Sequence, residues 1–323
     1  MNVHKIEGLI YGALIGDALG IQFEFYKKNL INVNDLKYNP SHFLPIDAGR
    51  WSDDGDNILL LLETIIESKD DIIDHNIYAK KLKNWYYNGF KILGDQVGGI
   101  GCGNTISAVI TNEHFDTDPF LASKIIYDKT KSNSNGAIMK ICIIGIISDD
   151  IEQVIQNTIN ICKVTHNSML VIVSCLVITL LVHLSKYNNF LDKSYNPLID
   201  ILKKIKIYLD ELSKDELEDF YRYISVKKLS DINLDEDFKV SYTLKCMACV
   251  IWSIKNINFG YNNILKEIYS YGGDTDTNGC VVGGVIGFIL GKSSINYNWI
   301  NNIKHQDFIN YNINNLKKKY PLM

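Results

Sequence analysis

The chain has 323 residues, of which 46% are hydrophobic and 22% are charged, a balance typical of a globular protein that buries a large core. Its formal net charge of −4 at pH 7 leaves no general basic surface, so we expect no nucleic-acid partner. Seven cysteines are scattered through apolar segments, from which we expect reduced thiols and an intracellular, cytoplasmic location. Because no Pro-rich or Gly/Ser-rich linker divides the chain, we predict one domain over residues 1–323.

Helical patterning dominates the chain, and no alternating strand pattern bounded by hairpin turns interrupts it. We therefore predict an all-α fold, a single compact domain of orthogonally packed helices. The highly charged stretch 186–237 is expected to form peripheral helices, one of which begins at a capping box of Ser213 and Glu216. The predicted helices cover residues 3–20, 56–68, 75–87, 103–111, 118–128, 136–147, 151–164, 167–185, 197–211, 214–227, 238–255, 261–270, 278–290 and 299–318.

Three segments invite other interpretations. Residues 164–185 are uncharged and long enough to span a bilayer, but interrupting polar residues and the lack of aromatic flanks favour a buried central helix and no membrane association. Cys246 and Cys249 form a CxxC motif within an apolar helical stretch, where core packing is expected instead of zinc binding. The basic run Lys317–Lys319 is interpreted as a solvated helix end.

Two glycine ladders mark helices that another backbone can approach closely. A four-residue spacing places the glycines of each ladder near one helix face, where no side chain stands between the two backbones. The first ladder consists of Gly8, Gly12, Gly16 and Gly20, and the second consists of Gly279, Gly283, Gly287 and Gly291.

Two acidic motifs accompany these ladders at predicted helix starts. Asp53 and Asp54 precede an apolar helix, and Asp274 and Asp276 directly precede the second ladder. Carboxylates and hydroxyls without Cys or His suit Mg²⁺, Mn²⁺ or Ca²⁺ and disfavour zinc. Because four clustered carboxylates would repel one another, a binuclear site is the simplest interpretation. The alternative is that these residues only cap a helix and form Asx turns.

At this point a family resemblance emerges from the order of the motifs. The chain resembles the ADP-ribosylglycohydrolase family of the dinitrogenase-reductase-activating type, and not the macrodomain type. The motifs span residues 8 to about 291, nearly the whole chain. They are Gly-Ala-Leu-Ile-Gly-Asp-Ala-Leu-Gly (12–20), Trp-Ser-Asp-Asp (51–54), Asn-Gly-Ala-Ile-Met-Lys (135–140), Thr-His (165–166) and Gly-Gly-Asp-Thr-Asp-Thr-Asn-Gly (272–279).

The resemblance implies a hydrolase that cleaves the glycosidic bond between ADP-ribose and an acceptor, with an ADP-ribosylated protein or ADP-ribose derivative as its partner. It also implies two Mg²⁺ ions, with Mn²⁺ possible, and a catalytic role for Glu24. The aromatic neighbours of Glu24 should raise its pKa, as proton exchange requires; a surface position at a helix end is the alternative. The implied metal ligands are Ser52, Asp53, Asp54, Asp274, Asp276 and Thr277.

A second group of residues is expected to bind the substrate. Ser134, Asn135 and Gly136 precede an apolar helix and could offer N–H groups to a pyrophosphate. Gly101 and Gly103 belong to another glycine-rich loop at a helix start, and either loop could be a plain turn. By resemblance, His166 borders the ADP-ribose pocket, although a helix-start histidine is an alternative. Asp17 is expected to support the site and not to bind metal.

Three positions depart from the family pattern. Gly55 stands in place of a Thr, Lys140 stands in place of an Arg, and the loop Gly101–Gly103 lacks the Asp of arginine-directed bacterial members. The acceptor therefore stays open between serine, arginine, poly-ADP-ribose and a small molecule. Two further functions also stay open: a non-catalytic ADP-ribose binder or structural relative, and a two-metal phosphohydrolase.

Overall fold

The computed structural model describes residues 3–192 and 196–320, and all regular elements in those ranges are helical. Two isolated bridges, Lys27 with Gly272 and Ser134 with Tyr242, are the only β pairing among these residues. The all-α prediction is confirmed. The α-helices are α1 (Val3–Gly20), α2 (Asp53–Glu67), α3 (His75–Asn88), α4 (Asn104–Ile110), α5 (Pro119–Thr130), α6 (Ile151–Lys163), α7 (Met169–Ser185), α8 (Pro197–Lys204), α9 (Lys206–Leu209), α10 (Lys214–Ile224), α11 (Thr243–Lys255), α12 (Gly260–Tyr269), α13 (Thr275–Leu290), α14 (Tyr297–Asn302) and α15 (Gln306–Lys319).

Short 3₁₀ segments lie between the α-helices. The longest replaces the helix predicted over residues 136–147, so that prediction has the wrong helix type. Its isoleucine-rich sequence has modest α-propensity, and it is buried among α2, α6, α7 and α13. The 3₁₀ segments are Ile21–Phe23, Lys28–Leu30, Lys91–Leu93, Ile138–Ile146, Leu229–Asp231, Ile257–Phe259 and Lys292–Ser294.

The two glycine ladders pack directly on each other, which joins α1 to α13. A Cβ atom on Gly16 would lie 2.0 Å from the carbonyl oxygen of Gly279, and one on Gly12 would lie 2.3 Å from that of Gly283. Even alanine would therefore overlap the opposite backbone. Because the register is fixed along the whole pair, the C-terminal end of α1 lies beside the N-terminal end of α13.

Tyrosines of α12 reinforce this pairing. The hydroxyl of Tyr261 donates to the carbonyl of Gly12 at 2.6 Å, and that of Tyr269 donates to the carbonyl of Gly16 at 2.5 Å. Thr275 adds a bond from its hydroxyl to the carbonyl of Gly20 at 2.8 Å. Each bond satisfies a buried polar group, so the helix junction is fixed in both position and register.

Helix α7 crosses the core and is buried continuously from Leu170 to His183. This agrees with the central helix predicted over residues 167–185. Cys246 and Cys249 in α11 are buried and free, as expected for core residues. Among the described residues, one segment is long and apolar enough to cross a membrane, Val3–Phe23, and 89% of its apolar window is buried inside the protein, as in a core helix.

Three predicted helix boundaries need correction. The helix predicted over 299–318 is two helices, α14 and α15, separated where His305 adopts a positive φ of 57°. The helix predicted over 197–211 divides at Ile205 into α8 and α9. The helix predicted from residue 238 begins at Thr243. Between α14 and α15, Lys304 N donates to the carbonyl of Gly49 at 2.9 Å, a tertiary contact that accompanies the division of this helix.

The predicted peripheral region and basic tail are only partly solvated. Helix α10 begins at the predicted capping box of Ser213 and Glu216 and packs on α11. In the basic run of α15, Lys317 pairs with Glu7 at 2.7 Å, and Lys319 donates to the carbonyls that end α2. Favourable contacts between a cation and a helix C-terminus explain this docking.

Candidate metal centre

Both acidic motifs start helices, and the fold brings the two helix starts together. Ser52 is the N-cap of α2, so Asp53 and Asp54 occupy its first turn, and Asp276 occupies the first turn of α13. The hydroxyl of Thr277 donates to Asp54 Oδ2 at 3.3 Å, which links the two turns directly. The positive ends of two helix dipoles thus face the same group of carboxylates.

Glu24 joins this group from a third segment. The turn before α13 contains Gly272 and Gly273, both at positive φ. Its Gly273 accepts from Phe25 N at 2.7 Å and donates to the carbonyl of Tyr26 at 3.0 Å. Glu24 is thereby held beside the turn, and oxygens of Glu24, Asp274 and Asp276 all lie within 4.8 Å of one another.

The carboxylates are buried, and several of their oxygens lack a partner. Asp276 is 2% exposed, Asp54 is 3% exposed and Glu24 is 9% exposed. Among the described residues, Glu24 Oε2, Asp54 Oδ1 and Asp276 Oδ1 have no hydrogen-bond partner. Buried carboxylate oxygens need a cation or a donor, so this all-oxygen set fits a divalent metal ion.

Burial and mutual repulsion disfavour the charged forms of these carboxylates, and their pKa values are raised accordingly. Burial, followed by the charges of Asp274, Asp53 and Asp17, raises the pKa of Glu24 to about 10. Burial and neighbouring carboxylates raise the pKa of Asp53 to about 8, and they hold the pKa of Asp276 well above its usual range. A bound cation would reverse this balance by favouring the charged carboxylates.

Asp17 supports the site from behind, as predicted. Its two carboxylate oxygens accept from Ser52 N at 2.9 and 3.0 Å, and Oδ2 also accepts from Gly55 N at 2.8 Å. The side chain is completely buried on α1. Asp17 therefore fixes the first turn of α2, which carries Asp53 and Asp54, relative to α1.

A second supporting network was not predicted from the sequence. Asp56 accepts from both Trp51 Nε1 and Trp85 Nε1 at 2.8 Å, and it pairs with Arg50 at 2.8 Å. These contacts fully engage the carboxylate of Asp56. The acidic residue nearest the Asp53–Asp54 pair in sequence is therefore structural, and only its partners distinguish it from a ligand.

The carboxylates lie on one side of a cleft of about 570 Å³. Most of the predicted metal-binding and substrate-binding residues line it together, whereas Ser52 and His166 do not. Ser52 lies behind Asp54 and donates to Asp54 Oδ2 at 3.1 Å. The predicted site residues that line the cleft are Glu24, Asp53, Asp54, Gly101, Gly103, Ser134, Asn135, Gly136, Asp274, Asp276 and Thr277.

Comparisons with known proteins identify the family of the chain. A model of the family described as ADP-ribosylglycohydrolase matches residues 2–321. The chain belongs to the ADP-ribosylglycohydrolase family. It is 26% identical to a putative ADP-ribosyl glycohydrolase, L543, of Acanthamoeba polyphaga mimivirus, over 98% of this chain and 94% of that protein. It is 21% identical to the ADP-ribosylarginine hydrolase Tri1 of Serratia proteamaculans (strain 568), over 95% of this chain and 77% of that protein.

A solved structure shows the same fold. The structure is titled an ADP-ribosylglycohydrolase-related protein complex, and it superposes with a TM-score of 0.73 at 16% sequence identity. The match covers 98% of both chains. The two chains therefore share the arrangement of helices along nearly their whole length.

In this member of the ADP-ribosylglycohydrolase family, the segment predicted to bind a pyrophosphate belongs to a network of hydroxyl groups. Ser134 Oγ bonds to Thr105 Oγ1 at 3.2 Å and to His166 Nε2 at 2.9 Å. His166 is 2% exposed, and burial, together with the charge of Lys140, lowers its pKa to about 3. Neutral His166 therefore orients Ser134 from behind, and does not itself border the cleft.

The three departures from the family pattern have local structural explanations. At Gly55 a Cβ would lie 2.5 Å from the Trp51 ring, and at Gly101 it would lie 2.6 Å from Asp53 Oδ1. Lys140 is fully buried and donates to the carbonyl of Gly136 at 2.7 Å. A Thr at position 55 would therefore require rearrangement, and so would any side chain at position 101, whereas a Cβ at Gly103 would meet no atom within 4 Å.

Two further features of the cleft escaped the sequence analysis. Asn135, predicted to bind phosphate, donates through Nδ2 to Asp274 Oδ2 at 3.0 Å, so it also orients a presumed ligand. Phe25 and Phe43 line the mouth of the cleft. Phe25 follows Glu24 directly, which was a usable signal, whereas nothing in the sequence places Phe43 beside it.

Proposed function

We propose that this chain is a metal-dependent hydrolase that cleaves the glycosidic bond between ADP-ribose and an acceptor. The observation that carries the proposal is the buried carboxylate cluster, with unpartnered oxygens on Glu24, Asp54 and Asp276. Two charges within 4.8 Å repel by about 3 kcal/mol at an effective dielectric near 20. A fold that needed no cation would gain stability by replacing these residues.

The ligands of two Mg²⁺ ions, or Mn²⁺, would come from both helix starts. Asp53 and Asp54 would contribute from α2, and Asp274, Asp276 and Thr277 from α13, with Ser52 orienting Asp54. When bound, the ions would supply Lewis-acid polarisation and hold the ribose hydroxyls and a water molecule.

Glu24 is the candidate for proton exchange. Its carboxyl lies in the cleft beside Asp274 and Asp276, and in the metal-free protein its raised pKa keeps it protonated at neutral pH. A group of this kind can donate a proton to the departing acceptor while positive charge develops at C1″ of the ribose. Its position would also allow a contact with a metal ion.

The hydroxyl network is the candidate for binding the diphosphate of ADP-ribose. Ser134, Thr105 and the backbone around Gly136 line the cleft, and His166 and Lys140 hold them in place from behind. Hydroxyl and N–H donors suit an anionic diphosphate. None of the described residues that line the cleft is a Lys or an Arg, so these hydroxyl and N–H groups would bind the diphosphate without a cationic side chain.

The test is hydrolysis by the purified protein with Mg²⁺ of arginine-, serine- and poly-linked ADP-ribose. Tri1 is named an ADP-ribosylarginine hydrolase, so the arginine-linked substrate is an essential comparison. Release of free ADP-ribose supports the proposal. Release of phosphate or AMP would instead indicate a phosphohydrolase, and binding of ADP-ribose without turnover would indicate a non-catalytic relative.

A further inference from the structure

Four aromatic side chains form a continuous row, two of which line the cleft. Ring centroids lie 4.4 Å apart for Tyr26 and His42, 4.8 Å apart for His42 and Phe43, and 5.8 Å apart for Phe43 and Phe25. Phe25 is 48% exposed and Phe43 is 49% exposed, and both line the cleft. We call Phe25, Tyr26, His42 and Phe43 the aromatic rim.

Phe25 is an unfavourable residue for its backbone conformation. Its φ of 62° lies in the left-handed region, which bulky side chains rarely adopt and which costs about 1–3 kcal/mol. Half of its side chain also faces water, so core packing does not offset that cost. Its N–H is bonded to Gly273 at 2.7 Å, which keeps the ring at the cleft. Neither backbone conformation nor burial accounts for a phenylalanine here.

The aromatic rim and the hydroxyl network offer different chemistry to a ligand in the cleft. The network of Thr105 and Ser134 offers donors suited to a diphosphate, whereas the rings of Phe25 and Phe43 offer none. Phe25 follows Glu24, the residue assigned to the departing acceptor. The chemistry of these two groups of side chains therefore assigns ADP-ribose to the hydroxyl network and the acceptor to the aromatic rim.

We propose that Phe25 and Phe43 bind the polypeptide that flanks the ADP-ribosylated side chain, and that they thereby set a preference for a modified residue within a peptide over the same residue as a free amino acid. This inference rests on the proposed glycohydrolase function. Aromatic rings bind peptide segments by covering side-chain methylenes and peptide planes. A free amino-acid acceptor would instead present an ammonium and a carboxylate, for which Phe25 and Phe43 provide no charged partner.

The test compares ADP-ribosylated serine or arginine as a free amino acid with the same residue inside a short peptide. Bond and leaving group are then identical, and only the flanking chain differs. For Phe43→Ala, the ratio of kcat/KM for the peptide to that for the amino acid should fall about tenfold, through KM and not kcat. Using this ratio removes any general damage to catalysis.

Phe25→Gly provides an independent variant with opposite effects on stability and recognition. Glycine favours a positive φ, so Tm should stay the same or rise, while the peptide preference falls as for Phe43→Ala. Phe259→Ala is the matched control. Phe259 is 52% exposed and contacts one aromatic ring, Trp252 at 6.2 Å, but it does not line the cleft.

The possible outcomes separate the inference from the proposed function. An unchanged peptide-to-amino-acid ratio in both rim variants would overturn the inference while leaving the hydrolase proposal intact. A wild-type protein that cleaves neither substrate in either linkage would overturn the hydrolase proposal, and the inference with it. A selective fall in both rim variants, with Phe259→Ala unchanged, supports the inference.

Discussion

The carboxylate cluster and the aromatic rim share one cleft but have opposite burial. Asp276 is 2% exposed and Glu24 is 9% exposed, whereas Phe25 and Phe43 are about half exposed. Charged residues are normally exposed and phenylalanines are normally buried. Both regions therefore reverse the arrangement that stability alone would select.

Helix α7 shows the ordinary arrangement within the same protein, because its apolar residues from Leu170 to Val182 are all buried. The reversal in the cleft is therefore local. Local departures from favourable burial are characteristic of binding and catalytic sites. Substitutions in the cleft can test whether the buried carboxylates bind metal and exchange protons, and whether the exposed surface of the cleft selects the acceptor.

The largest expected effect comes from removing one presumed ligand. Asp276→Ala should abolish turnover and also the rise in Tm on adding Mg²⁺, because a ligand that binds the native state stabilises it by mass action. Thermal denaturation with and without Mg²⁺, together with a turnover assay, measures both effects. Asp116→Ala removes a solvent-exposed carboxylate that pairs with Lys83 and should change neither. Full activity of Asp276→Ala, or of wild type in excess EDTA, would rule out the metal-dependent mechanism.

The second prediction separates proton exchange from binding. Glu24→Gln preserves the size of the side chain but removes its acid, so kcat should fall by roughly 10²–10⁴. Affinity for Mg²⁺ and ADP-ribose should stay within a few-fold of wild type, as measured by calorimetry. A fall in Mg²⁺ affinity as large as the fall in kcat would instead make Glu24 a metal ligand. Normal turnover would remove Glu24 from the mechanism.

The third prediction concerns pH in the absence of metal. The pKa of Asp53 is raised to about 8 in the folded protein from about 3.9 in the unfolded chain. Above the unfolded pKa, the folded state binds more protons than the unfolded state, so stability falls as pH rises towards the folded pKa. In EDTA, Tm should therefore decrease by several degrees more in wild type than in Asp53→Asn between pH of about 5 and 8. Equal pH dependence in the two proteins would contradict this assignment.

The smallest effect concerns the acceptor. The loop from Gly101 to Gly103 lacks a carboxylate that could pair with a guanidinium group. Serine-linked ADP-ribose should therefore be cleaved at least as well as arginine-linked ADP-ribose, as measured by kcat/KM on both. A preference of more than about tenfold for the arginine linkage would point to another acidic partner, such as Asp95.

Much of the helical fold was predictable because apolar periodicity and capping residues act locally. Helix α1 has the predicted bounds, and α10 begins at the predicted capping box. Helix α2 begins three residues before the predicted position 56, because Ser52 caps it and draws Asp53 and Asp54 into its first turn. The long 3₁₀ segment Ile138–Ile146 depended on surrounding helices, which no local pattern specifies.

The sequence predicted most of the residues that line the cleft, but not which residues lie behind them. The acidic motifs indicated which groups could meet, but not that Ser52 and His166 would lie behind Asp54 and Ser134. That layering depends on side-chain contacts between distant segments. The aromatic rim escaped prediction for the same reason, since Phe43 approaches Phe25 only in the folded chain.

The interlocked glycines of α1 and α13 have a consequence for biosynthesis. Helix α1 leaves the ribosome well before its partner, which begins only at Thr275. Until then, the apolar surface of α1 has no native cover, and transiently exposed surface of this kind promotes aggregation and chaperone binding. Because Glu24 and Asp274 are 250 residues apart in the sequence, the cleft can form only after α13 has been synthesised.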